Sequence, residues 1–280
     1  MLPFRIPLRD WISDAVDFLI DNFSPFFDGL TVFVEFLVNI LKDGMEAIHP
    51  LVLMVIIAGI TWKMAGWKTA LAAFLSLMLV ENIQLWQAFV ETMALVLTAE
   101  FLIILVGLPI GIWAAINDRV HLVIRPILDF MQTMPAFVYL IPAVMFFGLG
   151  LVPGVIATFI FAIPPLIRLT NLGIRQVPKE LIEASDAFGA TSRQKLFKVQ
   201  LPVAMPTVMA GVNQSIMLGL SMVVIAAMIG AGGLGSDVLR GIQRLQIGSG
   251  FEAGLAVVIM AIILDRITAG FGKIKNTGTA

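Results

Sequence analysis

The chain has 280 residues, 59% of them hydrophobic and 13% charged, with a mean hydropathy of +0.97. Soluble domains run near 45–50% apolar and about 25% charged, so the composition excludes that class and points to a protein with several membrane spans. The net charge of −1 offers no basic field for nucleic acid. With no cysteine there is no disulfide, thiolate nucleophile or cysteine metal site. His49 and His121 stand far apart, so no metal site and no catalytic residue is assigned.

The predicted elements begin with two stretches that are apolar on one side only, 10–22 and 26–41. In the first, Asp10, Asp14, Asp17 and Asp21 recur at helical spacing as a carboxylate stripe, with Trp11, Ala15, Phe18 and Leu19 off it. After a break at Ser24-Pro25, Phe26, Leu30, Phe33, Leu37 and Leu41 form one face, opposite Asp28, Thr31, Glu35 and Asn39. Such segments suit the membrane interface, so 1–47 is read as an N-terminal amphipathic interfacial region. An extra span at 26–41 is the alternative. Arg5 and Arg9 are followed by acidic residues rather than an apolar core, so the opening is not read as a signal peptide.

Apolar runs near 48–63, 65–80, 91–116, 127–149, 152–170, 203–229 and 252–268 predict an all-α polytopic bundle of about seven spans. The reading divides the chain into accessory helices over 48–90, a core domain over 91–270 and a tail over 271–280. Pro109, Pro135, Pro142, Pro164 and Pro165 fall inside spans, where each frees a carbonyl and kinks the axis. Alternation places every lysine and arginine except Arg5, Arg9, Lys42, Arg240 and Arg244 on the cytoplasmic side. The N-terminus then lies outside and the C-terminus inside.

Between the fifth and sixth runs comes a polar interlude, EASDAFGATSRQKLFKVQLP. Val177-Pro178 starts a helix with proline at its first position. Gly189 ends it as a C-terminal glycine, and Thr191 with Gln194 has the spacing of a capping box that starts a second short helix. Pro202 is read as ending that helix before the next span. The charges nearly balance, so this is more than a basic anchor. Phe188 and Phe197 are costly to leave wet, at about 25 cal/mol per Å², and they point to a partner surface; tucking back under the bundle is the alternative.

The segment resembles the EAA loop of ABC importer permeases, whose pattern is E-A-A, three residues, G, nine residues, I, one residue, L-P. Here stand Glu183-Ala184-Ser185, Gly189, Val199 and Leu201-Pro202, with serine for the second alanine and valine for isoleucine. With IRPILDFMQTMPAFVYLIPA at 124–143 and NQSIMLGLSMVVIAAMIGAGGLG at 213–235, roughly 91–268 is similar to the permease subunit of glycine betaine/proline betaine importers. The resemblance implies that 178–202, Phe188 included, forms coupling helices seated on a separate ATPase. It also implies a prokaryotic cell membrane, a second copy of the chain, two ATP-binding subunits that hold ATP and Mg, and an external substrate-binding protein.

The chain contains no G-x-x-x-x-G-K-[ST] phosphate loop, so it is not read as an enzyme and no cofactor is assigned to it. Gly230, Gly232 and Gly235 match G-x-G-x-x-G but follow a membrane run, which excludes a dinucleotide fold. The stretch around Gly232, Gly233, Gly235 and Arg240 falls on the outer side, where glycines let a docked binding protein come near; a flexible loop is the alternative. Gln132, Pro135, Tyr139, Asn213, Gln214 and Ser215 lie on kinked or proline-flanked spans and are the candidate pathway residues. With one tyrosine in the chain there is no compact aromatic cage for a quaternary ammonium, so selection is assigned to an external protein. Glu100, an intramembrane carboxyl, supports the rival reading of a proton-coupled secondary transporter.

Overall fold

The computed structural model describes residues 7–274. Among them the chain forms helices α1 (Leu8–Glu46), α2 (Pro50–Ala65), α3 (Trp67–Asn82), α4 (Trp86–Ile116), α5 (Asp118–Thr133), α6 (Leu140–Phe147), α7 (Leu151–Arg175), α8 (Lys179–Ala187), α9 (Ser192–Lys195), α10 (Leu201–Ala227), α11 (Gly233–Gln243) and α12 (Ile247–Ile274). The predicted tail at 271–280 lies mostly outside the described residues. Five helices are long and apolar enough to cross a membrane, six if one bent pair counts as a span. The all-α expectation holds, and the span count agrees roughly.

At the centre, α7 lies between α4 and α10. Glycines set how closely these three approach. A Cβ on Gly111 of α4 would lie 2.6 Å from Thr170 Cβ, and one on Gly107 would lie 3.2 Å from Ile163 Cγ1. On the other side, Gly173 and Gly211 admit Ala204 and Leu166 at 3.2 and 3.1 Å. In lipid there is little hydrophobic force between helices, so close backbone packing over small residues supplies the attraction. The hydrocarbon face of α4 is turned outward at Phe101 and Leu105, both exposed.

The periphery is built differently. α2 and α3 form a hairpin against α12, joined by Gly66 alone at φ 89°, a conformation glycine adopts without Cβ strain. Each has 16 residues, about 24 Å of helix against a hydrocarbon core of about 30 Å. Gly270 of α12 lets the hairpin tip in, since a Cβ there would meet Met64 Cβ and O at 2.5 Å.

Three predicted elements change. Ser24-Pro25 does not break the first helix: α1 runs through it, with the distortion taken up at Phe23 (φ −120°, ψ 15°). The residues buried along its second half are Val34 and Val38, with Leu30, Leu37 and Leu41 packed beside them, while Phe26 and Phe33 remain exposed. Phe27 stacks on Phe146 with centroids 4.5 Å apart. This half is a bundle helix, whereas residues 9–19 keep their carboxylate stripe beside exposed Trp11 and Phe18.

The predicted span at 127–149 is bent by 108°. Met134 is extended (ψ 136°) because a residue before proline avoids helix. The Tyr139 hydroxyl reaches back across the bend to donate to the Met131 carbonyl. The glycine-rich stretch after α10 is no loop: it contains the 11-residue helix α11.

Candidate functional site: the folded segment between α7 and α10

Arg175, at the end of α7, donates to the Ala114 carbonyl at 2.8 Å and pairs with Asp118 at 2.8 Å. The ends of α4 and α7 are thereby fixed on one side of the bundle, and from that side the segment 178–200 projects. α8 has Pro178 as its N-cap, one residue later than the spacing predicts, and Glu180 in its first turn, where a carboxylate meets the positive helix end. It stops at Gly189 (φ +75°). There Ala190 N–H returns to the Ser185 carbonyl at 3.0 Å and Gly189 N–H to Asp186 O at 2.9 Å. These bonds satisfy carbonyls the helix end would orphan.

The predicted capping box is formed in both directions. Thr191 Oγ1 accepts from Gln194 N–H at 3.3 Å, and Gln194 Oε1 accepts from Thr191 N–H at 2.9 Å. Lys195 Nζ then lies 2.7 and 2.8 Å from the two Asp186 carboxylate oxygens, tying the second helix to the first. Pro202 does not end the helix. A π-helical turn at Leu196–Gln200 carries α9 straight into α10, and Pro202 falls within this continuous helix, just after the π-turn. The second short helix is therefore continuous with α10.

What the segment presents outward is apolar at its tip. Phe188 is 91% exposed and Phe197 52%. Glu183 and Ala184 are exposed beside Phe188, while Ser185 is buried and donates its hydroxyl to Ile182 O at 2.7 Å. Phe197, Thr191, Arg193, Gln194 and Lys198 line an open concavity of about 360 Å³. Val199, Leu201 and Pro202 are half-buried at the root. Neither phenylalanine tucks back under the bundle.

The other sequence-predicted residues do not converge on one surface. Ser215 is buried with its Oγ 2.8 Å from both Glu100 carboxylate oxygens, an α10–α4 tie. Asn213 turns to α12, donating to Asp265 at 2.9 Å and accepting from Thr268 at 2.9 Å. Gln214 is exposed between them, Gln132 and Pro135 are exposed at the bend, and Tyr139 is buried there. At the start of α11 Gly233 and Gly235 are buried, and a Cβ on Gly235 would stand 2.3 Å from Val223 O. These glycines serve packing inside the chain. Gly232 caps α11, and exposed Arg240 pairs with Asp237 at 2.5 Å.

Sequence reasoning missed the clamp at the start of α4. Glu91 takes Lys42 Nζ of α1 at 2.8 Å on one oxygen and Gly233 N–H at 3.2 Å on the other. Thr92 Oγ1 takes Leu234 N–H at 2.8 Å. The signal for it was a lysine near the end of α1 and an acidic residue in the first turns of a span. The pairs Gly107/Gly111 and Gly173/Gly211 were equally readable as small-residue packing sites.

Residues 107–274 match the model of the family described as binding-protein-dependent transport system inner membrane component. The chain is 52% identical to the glycine betaine/proline betaine transport system permease protein ProW of Escherichia coli, over 96% of this chain and 76% of that one. It is 51% identical to the glycine betaine transport system permease protein OpuAB of Bacillus subtilis, over 99% and 98%. Among solved structures, an inward-facing form of the MetNI methionine ABC transporter superposes with a TM-score of 0.59 at 25% identity, covering 70% of this chain and 96% of that one.

Proposed function

The chain belongs to the family of binding-protein-dependent transport system inner membrane components, and from that premise we propose that it is the transmembrane permease of an ATP-driven importer for glycine betaine or related quaternary-ammonium solutes. It is a multi-pass transport subunit of the cell membrane rather than an enzyme. In this reading two copies enclose the pathway, two ATP-binding subunits hold ATP and Mg on the cytoplasmic side, and an external binding protein delivers the solute. The N-terminus is placed outside and the C-terminus inside.

The observation that carries the reading is the folded knuckle at 178–200. Its backbone is fixed by a capping box, a left-handed glycine and an ion pair, yet it leaves Phe188 almost wholly in water. Stabilising a segment while leaving its largest apolar residue unburied fits a surface made for a partner. The π-turn continuity into α10 converts movement of that partner into tilting of a pathway helix. In such a cycle closure of the ATPase pair draws the two knuckles together, and the bundle opens outward. Selectivity is left to the binding protein, since the chain has a single tyrosine.

The test is ATP-driven uptake of labelled glycine betaine by the assembled transporter. Gly189→Pro, which removes the N–H that closes the knuckle and forbids φ +75°, and Glu183→Arg are each expected to abolish it. Wild-type uptake in both variants would refute the coupling role.

A further inference from the structure

On the side of the bundle where α4 and α7 end, α5 leaves a cavity of about 270 Å³ against both. Its polar wall consists of His121, Arg125 and Asp129 from α5 with Arg168 and Asn171 from α7, and the remaining lining is aliphatic. The donor count there exceeds the acceptors. Asp129 Oδ1 accepts from Arg168 Nη2 at 2.5 Å, and Asn171 Nδ2 lies 3.4 Å from His121 Nδ1. Arg168 Nε is buried and has no hydrogen-bond partner among the described residues. Arg125 enters no ion pair among them.

The cavity thus holds two guanidiniums and one carboxylate, which pairs with Arg168 alone, and the Arg168 Nε–H is shut off from water with nothing to donate to among the described residues. An orphaned buried donor costs about 1–3 kcal/mol, more when charged, and a fixed cavity beside it gives an acceptor room. We propose that this cavity binds one phosphate-type anion, either the phosphodiester of a phospholipid headgroup or inorganic phosphate, with Arg168 Nε and the Arg125 guanidinium as its donors. The guanidinium fork matches phosphate oxygens in geometry and charge. Asp129 accepts from Arg168 Nη2, beside Nε, and so competes with the anion for that edge. A lipid also has a place for its chains: α5 exposes Leu122, Val123, Ile127 and Phe130 alongside. Basic pockets between membrane helices on the cytoplasmic side hold headgroups in this way.

The site is tested on the purified full-length chain in detergent, by native mass spectrometry with added phosphatidylglycerol and by melting with added inorganic phosphate. Wild type is expected to retain the lipid or to melt higher with phosphate. Arg168→Gln and Arg125→Gln are each expected to weaken the effect about tenfold, the cost of one charge-assisted hydrogen bond. Asp129→Asn, which removes the competing carboxylate, is expected to strengthen it. Lipid retention lost in the arginine variants assigns the headgroup; a phosphate shift lost in them without lipid retention assigns the free anion. Arg125 is exposed and enters no ion pair among the described residues, so its variant is expected to fold and keeps the test decisive should Arg168→Gln misfold. Neither effect in wild type, or an effect unchanged by Arg125→Gln, overturns the proposal.

Discussion

The α4–α7–α10 seam and the knuckle at 178–200 are both well defined, by opposite means. The seam is rigid because its atoms have nowhere to go: Gly111 sits where a Cβ would overlap Thr170. The knuckle has almost no packing and is held by directed bonds, the Thr191–Gln194 box, the Gly189 turn and the Lys195–Asp186 pair. Steric rigidity tolerates no added volume. Bonded rigidity in water tolerates changes of shape and fails when a donor, acceptor or positive φ is removed. The proposed coupling role asks for both kinds of order, a bundle that tilts as a body and a handle that a partner grips.

The comparison can be broken most sharply at Gly111. Gly111→Leu forces several atoms into the α7 backbone, and overpacking of this kind costs about 1–3 kcal/mol or more. A large fall in the melting temperature of the purified chain is expected, and an unchanged one would contradict steric control of the seam. At the knuckle, Gly189→Ala places a Cβ at φ +75° in open space, so only the left-handed strain of about 1–2 kcal/mol remains. It should lower uptake far more than it lowers the melting temperature.

Smaller effects sharpen the same contrast. Thr191→Ala removes the cap and is expected to cost about 1 kcal/mol locally, seen as faster amide exchange across 192–196 with the core unaffected. Lys195→Met removes an ion pair with partly exposed members, worth up to about 1 kcal/mol and less in high salt. Phe188→Ala should leave stability within about 0.5 kcal/mol, as for most exposed sites. It is nonetheless expected to reduce ATP-driven uptake, because the ring buries nothing within the chain.

Much of this was legible in the residues. Composition and run length announced a helical membrane bundle. The knuckle's turn glycine and capping box were readable because they depend on neighbours only a few positions apart. What depended on distant partners was not. The seam of α1 fell on Val34 and Val38 rather than on Phe26 and Phe33 because α4 and α6 decide which face is covered. Pro25 was absorbed by a distortion two residues earlier, while Pro135 produced a sharp bend. The proline alone does not tell these outcomes apart. Gly233 and Gly235 looked like an open surface and proved to be sites of close approach within the chain, a packing set by helix neighbours such as Thr92 and Val223 that local sequence does not reveal.

The most direct measurement is copurification of the cognate ATP-binding subunit with the full-length chain, comparing wild type with Phe188→Asp. Retention by wild type and loss from a variant that melts normally is the result expected if the knuckle is the handle. Equal retention by both would contradict it.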